Sequence, residues 1–231
     1  MTGDRTAILA RVREALRIPA PRHHETPAAT HANRSVTAPF REWLPPVGAN
    51  EAERVAIFAR LSEMLRTEFV ECASLDDAAA HLAQLASANG WRKVATQKDK
   101  LCDAAIRTLP DSVALMRITG NYDKDALESC DAGVTACESL VAQTGSVCVT
   151  TKSSGGRALS VLPPHHVVIA RRKQLLPDLT AAYEALAKKY ATTGYPSFIG
   201  FITGPSRTGD IERILVLGAH GPKKLTVLLV P

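Results

Sequence analysis

An open α/β fold, a largely parallel sheet flanked by helices, is what this sequence predicts, and three observations carry the prediction. Beyond Gly90, short apolar runs at residues 93–96, 113–118, 133–137, 146–150, 166–170, 198–203 and 225–230 alternate with helical segments. Strands alternating with helices make βαβ units and hence a parallel sheet. Loops rich in glycine and hydroxyl residues follow or join several of these runs, as in open α/β folds that bind ligands beyond strand ends. Finally, 231 residues with 45% hydrophobic and 22% charged side chains are enough for one full-sized core.

The elements follow in order. Ile8, Leu9, Val12 and Leu16 recur at the three-to-four spacing of one helical face, and Pro19 and Pro21 stop that helix. From there to Asn50 the chain holds Pro27, Pro39, Pro45 and Pro46 but little periodic hydrophobicity, so it reads as an extended arm. Phe40 and Trp43 are apolar enough to dock this arm on its own domain or on a second subunit, which keeps a homo-oligomer open. Residues 1–50 are therefore expected as a helix and proline-rich arm, and 51–231 as the α/β domain.

A second helix is expected over residues 51–69, with Val55, Phe58, Leu61, Leu65 and Phe69 on one face. A third starts at the N-cap Ser74, with Asp76 and Asp77 in its first turn, and ends near Gly90. Further helices are expected at residues 176–190, opened by Asp178 and closed by Lys188 and Lys189, and at about 210–217, ending at Gly218.

Composition excludes several classes of function. No stretch approaches the roughly 20 apolar residues of a membrane helix. The amino terminus mixes charge with apolar residues, unlike a signal peptide; cytoplasmic residence is the expectation. A net charge of +5 with 5% aromatics, and no recognition motif, argues against nucleic acid and towards small anions. Cys72, Cys102, Cys130, Cys137 and Cys148 include no pair at the two-residue spacing of a metal or cluster ligand set, and the histidines form no HExxH. Neither a metal nor a cofactor is therefore expected in this chain, and Cys137 and Cys148 are expected as buried thiols.

Three loops concentrate chemistry, and their positions after strands make them candidates to converge. The first, residues 204–212, combines Gly204, Ser206, Arg207, Thr208, Asp210 and Glu212. Glycine admits close approach, a helix start favours an anion, and Arg207 suits a carboxylate or phosphate. Local capping by Ser206 or Thr208, with Asp210 and Glu212 complementing the dipole, explains the acids but not Arg207. The second holds His220, able to orient a ligand or shuttle a proton, and Gly221. A hydrogen bond from His220 to the last carbonyls of the preceding helix competes with that role.

In the third loop Glu138 ends an apolar run, where a carboxylate can serve as nucleophile or base or can simply be an exposed acid. Thr144 and Gly145 read as a tight turn, and the serine–glycine run before Arg157 as a mobile loop delivering a cation. That run lacks the spacing and the lysine of a phosphate loop, and no Gly-x-Ser-x-Gly elbow is present.

The succession Ala142-Gln143-Thr144-Gly145, Arg157 with Leu162-Pro163, His166-Val167, Gly204-Pro205-Ser206 with Asp210-Ile211-Glu212, and His220-Gly221-Pro222 resembles the lactate utilization protein C family, which carries the LUD domain. The resemblance covers residues 50–231, most densely from 131. It implies a fold similar to sugar-phosphate isomerases and CoA transferases. It also implies one part of a system oxidising L-lactate to pyruvate alongside two iron–sulfur proteins, so clusters are expected in the partners. His166, rather than His165, matches the family pattern, and His165 is expected in a surface loop. Arg207-Thr208-Gly209 falls in a stretch that varies within the family.

The function expected on this basis is a subunit that binds a small carboxylate or phosphate-containing ligand. A stand-alone isomerase or CoA-transferase-type enzyme using Glu138, and a scaffold without chemistry, compete with it.

Overall fold

The computed structural model describes residues 3–15, 17, 44–119, 122–209, 215–218 and 220–231. The chain falls into two units, Met1–Leu44 and Pro45–Pro231. The first contains helix α1 (Gly3–Ala15), which carries the periodic residues Ile8, Leu9 and Val12.

In the second unit, α2 (Glu51–Leu65) starts at Asn50, whose side chain accepts the Glu53 backbone N–H. It ends at Leu65, four residues before the expected end, with Arg66 as its cap in a left-handed conformation (φ 61°). That turn releases the next residues as strand β1 (Glu68–Glu71). Helix α3 (Leu75–Ala88) is capped by Ser74 as its sequence predicts. Strands β2 (Lys93–Gln97), β3 (Ala114–Ile118) and β4 (Ala132–Ala136) follow, separated by the short helices α4 (Lys100–Ala105) and α5 (Lys124–Glu128).

Next come β5 (Ser139–Val141), β6 (Ser146–Thr150), β7 (His165–Arg171), β8 (Leu175–Leu176), α6 (Leu179–Tyr190) and β9 (Ile199–Ile202). The chain ends with β10 (Arg207–Gly209), β11 (Leu215–Leu217) and β12 (Lys224–Val230).

Six strands form the main sheet in the order β1-β12-β7-β4-β2-β3, every neighbouring pair parallel. Its central strands are buried on both faces, which is why they read as continuous apolar runs. On one face lie α3 and α4, with Leu82, Ala86, Cys102 and Ala105 packed against Val94, Val134, Val167 and Leu228. On the other lie α2 and a four-stranded sheet, β8-β5-β6-β9, through Phe58, Leu140, Val147 and Val149 against Val168, Val227 and Leu229. Helix α6 covers the far side of this second sheet with Leu186 and Tyr190. The layout is the open α/β architecture the sequence predicts, with an added mixed sheet that it does not.

Gly133 shows how tightly the inner face is covered. A Cβ there would stand 2.5 Å from the Leu159 carbonyl oxygen and 3.2 Å from Pro163. Only glycine lets the segment before β7 cross the sheet at this height, bringing Ser160 and Val161 beside His166.

One expected helix is overturned. Leu215–Leu217, the end of the helix predicted at 210–217, is strand and pairs antiparallel with Arg207–Gly209. Its Leu-Val-Leu sequence fits a pleated surface, and hairpin pairing prevails over the helix suggested by nearby acids.

Candidate functional site

A cleft of about 270 Å³ opens between the inner face of the main sheet and the end of β9. Its walls are Ser160 and Val161, His166 on β7, Leu225 on β12, and the stretches 201–206 and 220–222. It therefore brings together His166, Gly204, Ser206, His220 and Gly221 among the residues singled out by sequence. Apolar walls with a few convergent polar groups are what small-molecule sites have.

Backbone bonds hold the two loops together. Ser206 N–H donates to the Pro222 carbonyl at 2.9 Å, and Gly218 N–H to the Ser206 carbonyl at 2.9 Å. Gly204 turns with φ 84°, and a Cβ there would lie 2.9 Å from the Leu65 carbonyl oxygen. Gly221 lies against Ser206, while His220 is exposed beside the cleft.

His166 is wholly buried. Its Nε2 lies 2.9 Å from the Thr135 hydroxyl, and its Nδ1 has no partner among the described residues. Burial, then the neighbouring His165, pushes its pKa down to about 3, so the ring is neutral at physiological pH. Thr144 also reaches the cleft, through hydroxyls. Thr144 Oγ1 and Ser146 Oγ are 2.8 Å apart, and Ser146 Oγ and Thr203 Oγ1 2.7 Å. Gly145 makes the turn between β5 and β6 and packs against Leu61 and Leu65 of α2.

The anion grip expected at residues 204–212 takes another form. Arg207 donates through Nη2 to the Leu65 carbonyl, satisfying an acceptor that the end of α2 leaves open. Its guanidinium holds the loop to α2. The backbone of Thr208 pairs with Val216 in the hairpin. Asp210 and Glu212 lie outside the described residues.

Glu138 is in a different place. Gly133 pairs with His166, and Glu138 lies beyond the carboxyl end of β4, on the order of 15 Å further along at about 3.3 Å per residue. The cleft, in contrast, is at the amino ends of β7 and β12, so the three loops do not converge beyond the carboxyl ends as their sequence suggests. The register explains this: β9 runs antiparallel to β6 and returns the chain to the other end of the sheet.

The Glu138 side chain is 5% exposed. Its Oε1 accepts from the Tyr190 hydroxyl at 2.6 Å and from the Thr150 hydroxyl at 2.9 Å, and its Oε2 from Lys189. Burial alone would raise its pKa; the hydrogen bonds from Lys189, Tyr190 and Thr150 outweigh that and hold it below the usual carboxylate value. This is an anchored anion tying α6 to the ends of β4 and β6. A carboxylate stabilised in this way is a weakened base.

Arg157 is exposed and lies 5.9 Å from the Phe198 ring centroid, outside the cleft. His165, expected in a surface loop, is instead buried as the first residue of β7. Its ring packs edge-on against Trp91, and its Nε2 lies 2.8 Å from the Thr226 hydroxyl. The paired Pro163 and Pro164 before it suggest a loop, but β7 already pairs with β4 and β12 at this residue.

All five cysteines are free and buried, and burial pushes each thiol's pKa upward. None has the exposed, electropositive setting of a reactive thiol. Among the described residues no group of His, Cys, Asp and Glu could hold a metal ion, and no helix is long and apolar enough to cross a membrane. Sequence reasoning missed Thr135, Ser160, Lys189 and Tyr190. Thr135 is the polar residue in an otherwise apolar strand, a signal that was available; the other three are placed by tertiary packing alone.

Comparisons with known proteins match this picture. The LUD domain profile matches residues 57–230. Proteins named Lactate utilization protein C are similar across most of the chain. The one from Geobacillus kaustophilus is 26% identical over 199 residues, 82% of this chain and 83% of its own. That from Macrococcus caseolyticus is 26% identical over 230 residues, covering 98% and 96%. The Bacillus subtilis protein reaches 36% over 104 residues, 45% and 43% of the two chains. A crystal structure of a DUF162 family protein from Deinococcus radiodurans shares the fold, with a TM-score of 0.59 at 19% identity over 80% of this chain and 100% of that one.

Proposed function

The chain belongs to the LUD domain family, and from that membership and the geometry of the cleft we propose that it is a cytoplasmic component of L-lactate utilization that binds a small carboxylate between its two sheets. The observation that carries the ligand part of this reading is the meeting of His166, Gly204, Ser206, His220 and Gly221 around one cleft of about 270 Å³. The names of the relatives in Geobacillus and Macrococcus support the lactate context. With buried thiols and no cluster spacing in this chain, electron transfer falls to iron–sulfur partner proteins, and this subunit handles the carboxylate.

Glu138 gives less support to an independent isomerase or CoA transferase. Its carboxylate is held by three donors and lies a strand's length from the cleft, an arrangement that favours an anchoring role. A phosphate-containing ligand is also less well supported than a carboxylate, because Arg207 is engaged by α2.

Thermal unfolding with L-lactate, pyruvate and inorganic phosphate, together with dye reduction by the purified chain, tests this reading. Selective binding raises Tm by mass action, by about 2.7 kcal/mol of stability at a hundred times Kd. The expected result is stabilisation by L-lactate or pyruvate and no lactate-dependent dye reduction until iron–sulfur partners are added. Robust dye reduction by this chain alone would overturn the division of labour.

A further inference from the structure

Resting on the reading of the cleft as a ligand site, we propose that His166 meets the ligand as an uncharged Nδ1–H donor whose tautomer is set by Thr135, so that the ligand must present a carboxylate or carbonyl oxygen there. Two adjacent histidines lie on opposite faces of β7, each facing a threonine hydroxyl on a neighbouring strand. His165 Nε2 lies 2.8 Å from Thr226 Oγ1, and His166 Nε2 lies 2.9 Å from Thr135 Oγ1. A neutral imidazole carries one hydrogen, and which nitrogen holds it depends on what the other nitrogen meets.

Thr226 has an acceptor for its hydrogen: it donates to Glu68 Oε2 at 2.7 Å. Its lone pairs remain for His165, which must therefore supply the hydrogen from Nε2. Thr135 differs. Among the described residues its hydroxyl has one hydrogen-bond partner, His166 Nε2, and both side chains are wholly buried. Were His166 to donate from Nε2, the Thr135 hydrogen would be left without an acceptor inside the core, which is costly. The satisfied arrangement has the hydroxyl donating to a bare Nε2, which puts the ring hydrogen on Nδ1. The two neighbours thus adopt opposite tautomers.

His166 Nδ1 is the ring nitrogen with no partner among the described residues, on a residue in the cleft wall. Burial keeps the ring from protonating, since its pKa is pushed down to about 3. A neutral, fixed N–H among apolar walls favours an oxygen acceptor and disfavours an ammonium or any group offering only N–H at that point. Ser206 and the Thr203 hydroxyl at the end of the Thr144–Ser146 chain supply further donors for the second oxygen of a carboxylate. Thr135 is a positioning residue, acting through His166.

Two-bond nitrogen–proton correlation NMR on ¹⁵N-histidine protein, assigned with H165N and H166N, reads each tautomer directly. The expected spectrum has His165 protonated at Nε2 and His166 at Nδ1. Titration with pyruvate or L-lactate should shift the His166 Nδ1 signal, and methylammonium should not. T135V keeps shape but removes the hydroxyl; it should return His166 to Nε2–H and weaken pyruvate binding at least tenfold, while T226V leaves binding within twofold.

Wild-type His166 protonated at Nε2 overturns the proposal, whether or not T135V folds. So does a His166 signal unmoved by both acids when a cleft-filling S206F abolishes their binding, although the cleft then stands as the ligand site. Failure of wild type to bind either acid overturns both.

Discussion

Glu138 and His166 divide between them two ways of burying a polar side chain. Glu138 is charged and surrounded by donors, so it contributes stability as an anion; His166 is neutral and has one nitrogen, Nδ1, without a partner among the described residues. Replacing Glu138 with Gln leaves Lys189 and the buried hydroxyls of Tyr190 and Thr150 poorly matched. It should cost about 1.5–3 kcal/mol near pH 7 by urea unfolding. The sign with pH is fixed by the lowered carboxyl pKa. A carboxyl whose folded value lies below its unfolded value of about 4.3 contributes fully above that unfolded value, and the contribution is lost as pH falls through the folded value. The E138Q deficit should therefore be constant above about pH 5.5 and shrink towards pH 3. A deficit that stays constant down to pH 3 would show that the charge contributes nothing.

Arg207 makes the corresponding point for a cation that sequence placed on a ligand. Its target is the Leu65 carbonyl at the open end of α2. R207M should lower stability by about 0.5–1 kcal/mol and leave lactate or pyruvate affinity within a factor of two. A tenfold loss of affinity without loss of stability would return Arg207 to the site.

At the scale of elements, the alternation of apolar runs after Gly90 located β2, β3, β4, β6, β7, β9 and β12 to within a residue or two; for β2, β4, β7 and β12 the reason is that buried parallel strands are apolar on both faces. The caps of α3 and α6, Ser74 and Asp178, were equally legible, since a capping side chain needs only its own first turn. The elements that escaped depend on distant partners. Strand β1 lies hidden behind the left-handed turn at Arg66, and β5 exists because β6 folds back upon it. Hairpin β10–β11 replaces the end of an expected helix because Leu215, Val216 and Leu217 pair with Arg207–Gly209.

The site was legible as residues but not as a place. Gly204, Ser206, His220, Gly221 and His166 do meet, whereas Glu138 and Arg157 do not join them, because strand direction decides which end of the sheet a loop occupies. Gly133 offers a test at this scale. G133A pushes a methyl group against the Leu159 carbonyl and Pro163, and should cost about 1–3 kcal/mol while distorting the cleft wall at Ser160 and Val161. Unchanged stability would mean that the segment before β7 does not press on the sheet.

For the molecule as a whole, two polar centres occupy opposite ends of one α/β body. The Glu138 centre ties α6 to the sheets; the cleft between β7 and β9 is where a small carboxylate would be held for partners to act upon. The division follows from the antiparallel return of β9, which delivers the loop at 204–206 to the amino end of β7 and leaves the carboxyl end of β4 to Lys189 and Tyr190. Calorimetric titration of L-lactate and pyruvate into wild type, S206F and E138Q distinguishes the two centres most directly. Binding should disappear in S206F, which fills the cleft, and persist within twofold in folded E138Q; loss in E138Q with wild-type binding in S206F would put the ligand at the other end of the sheet.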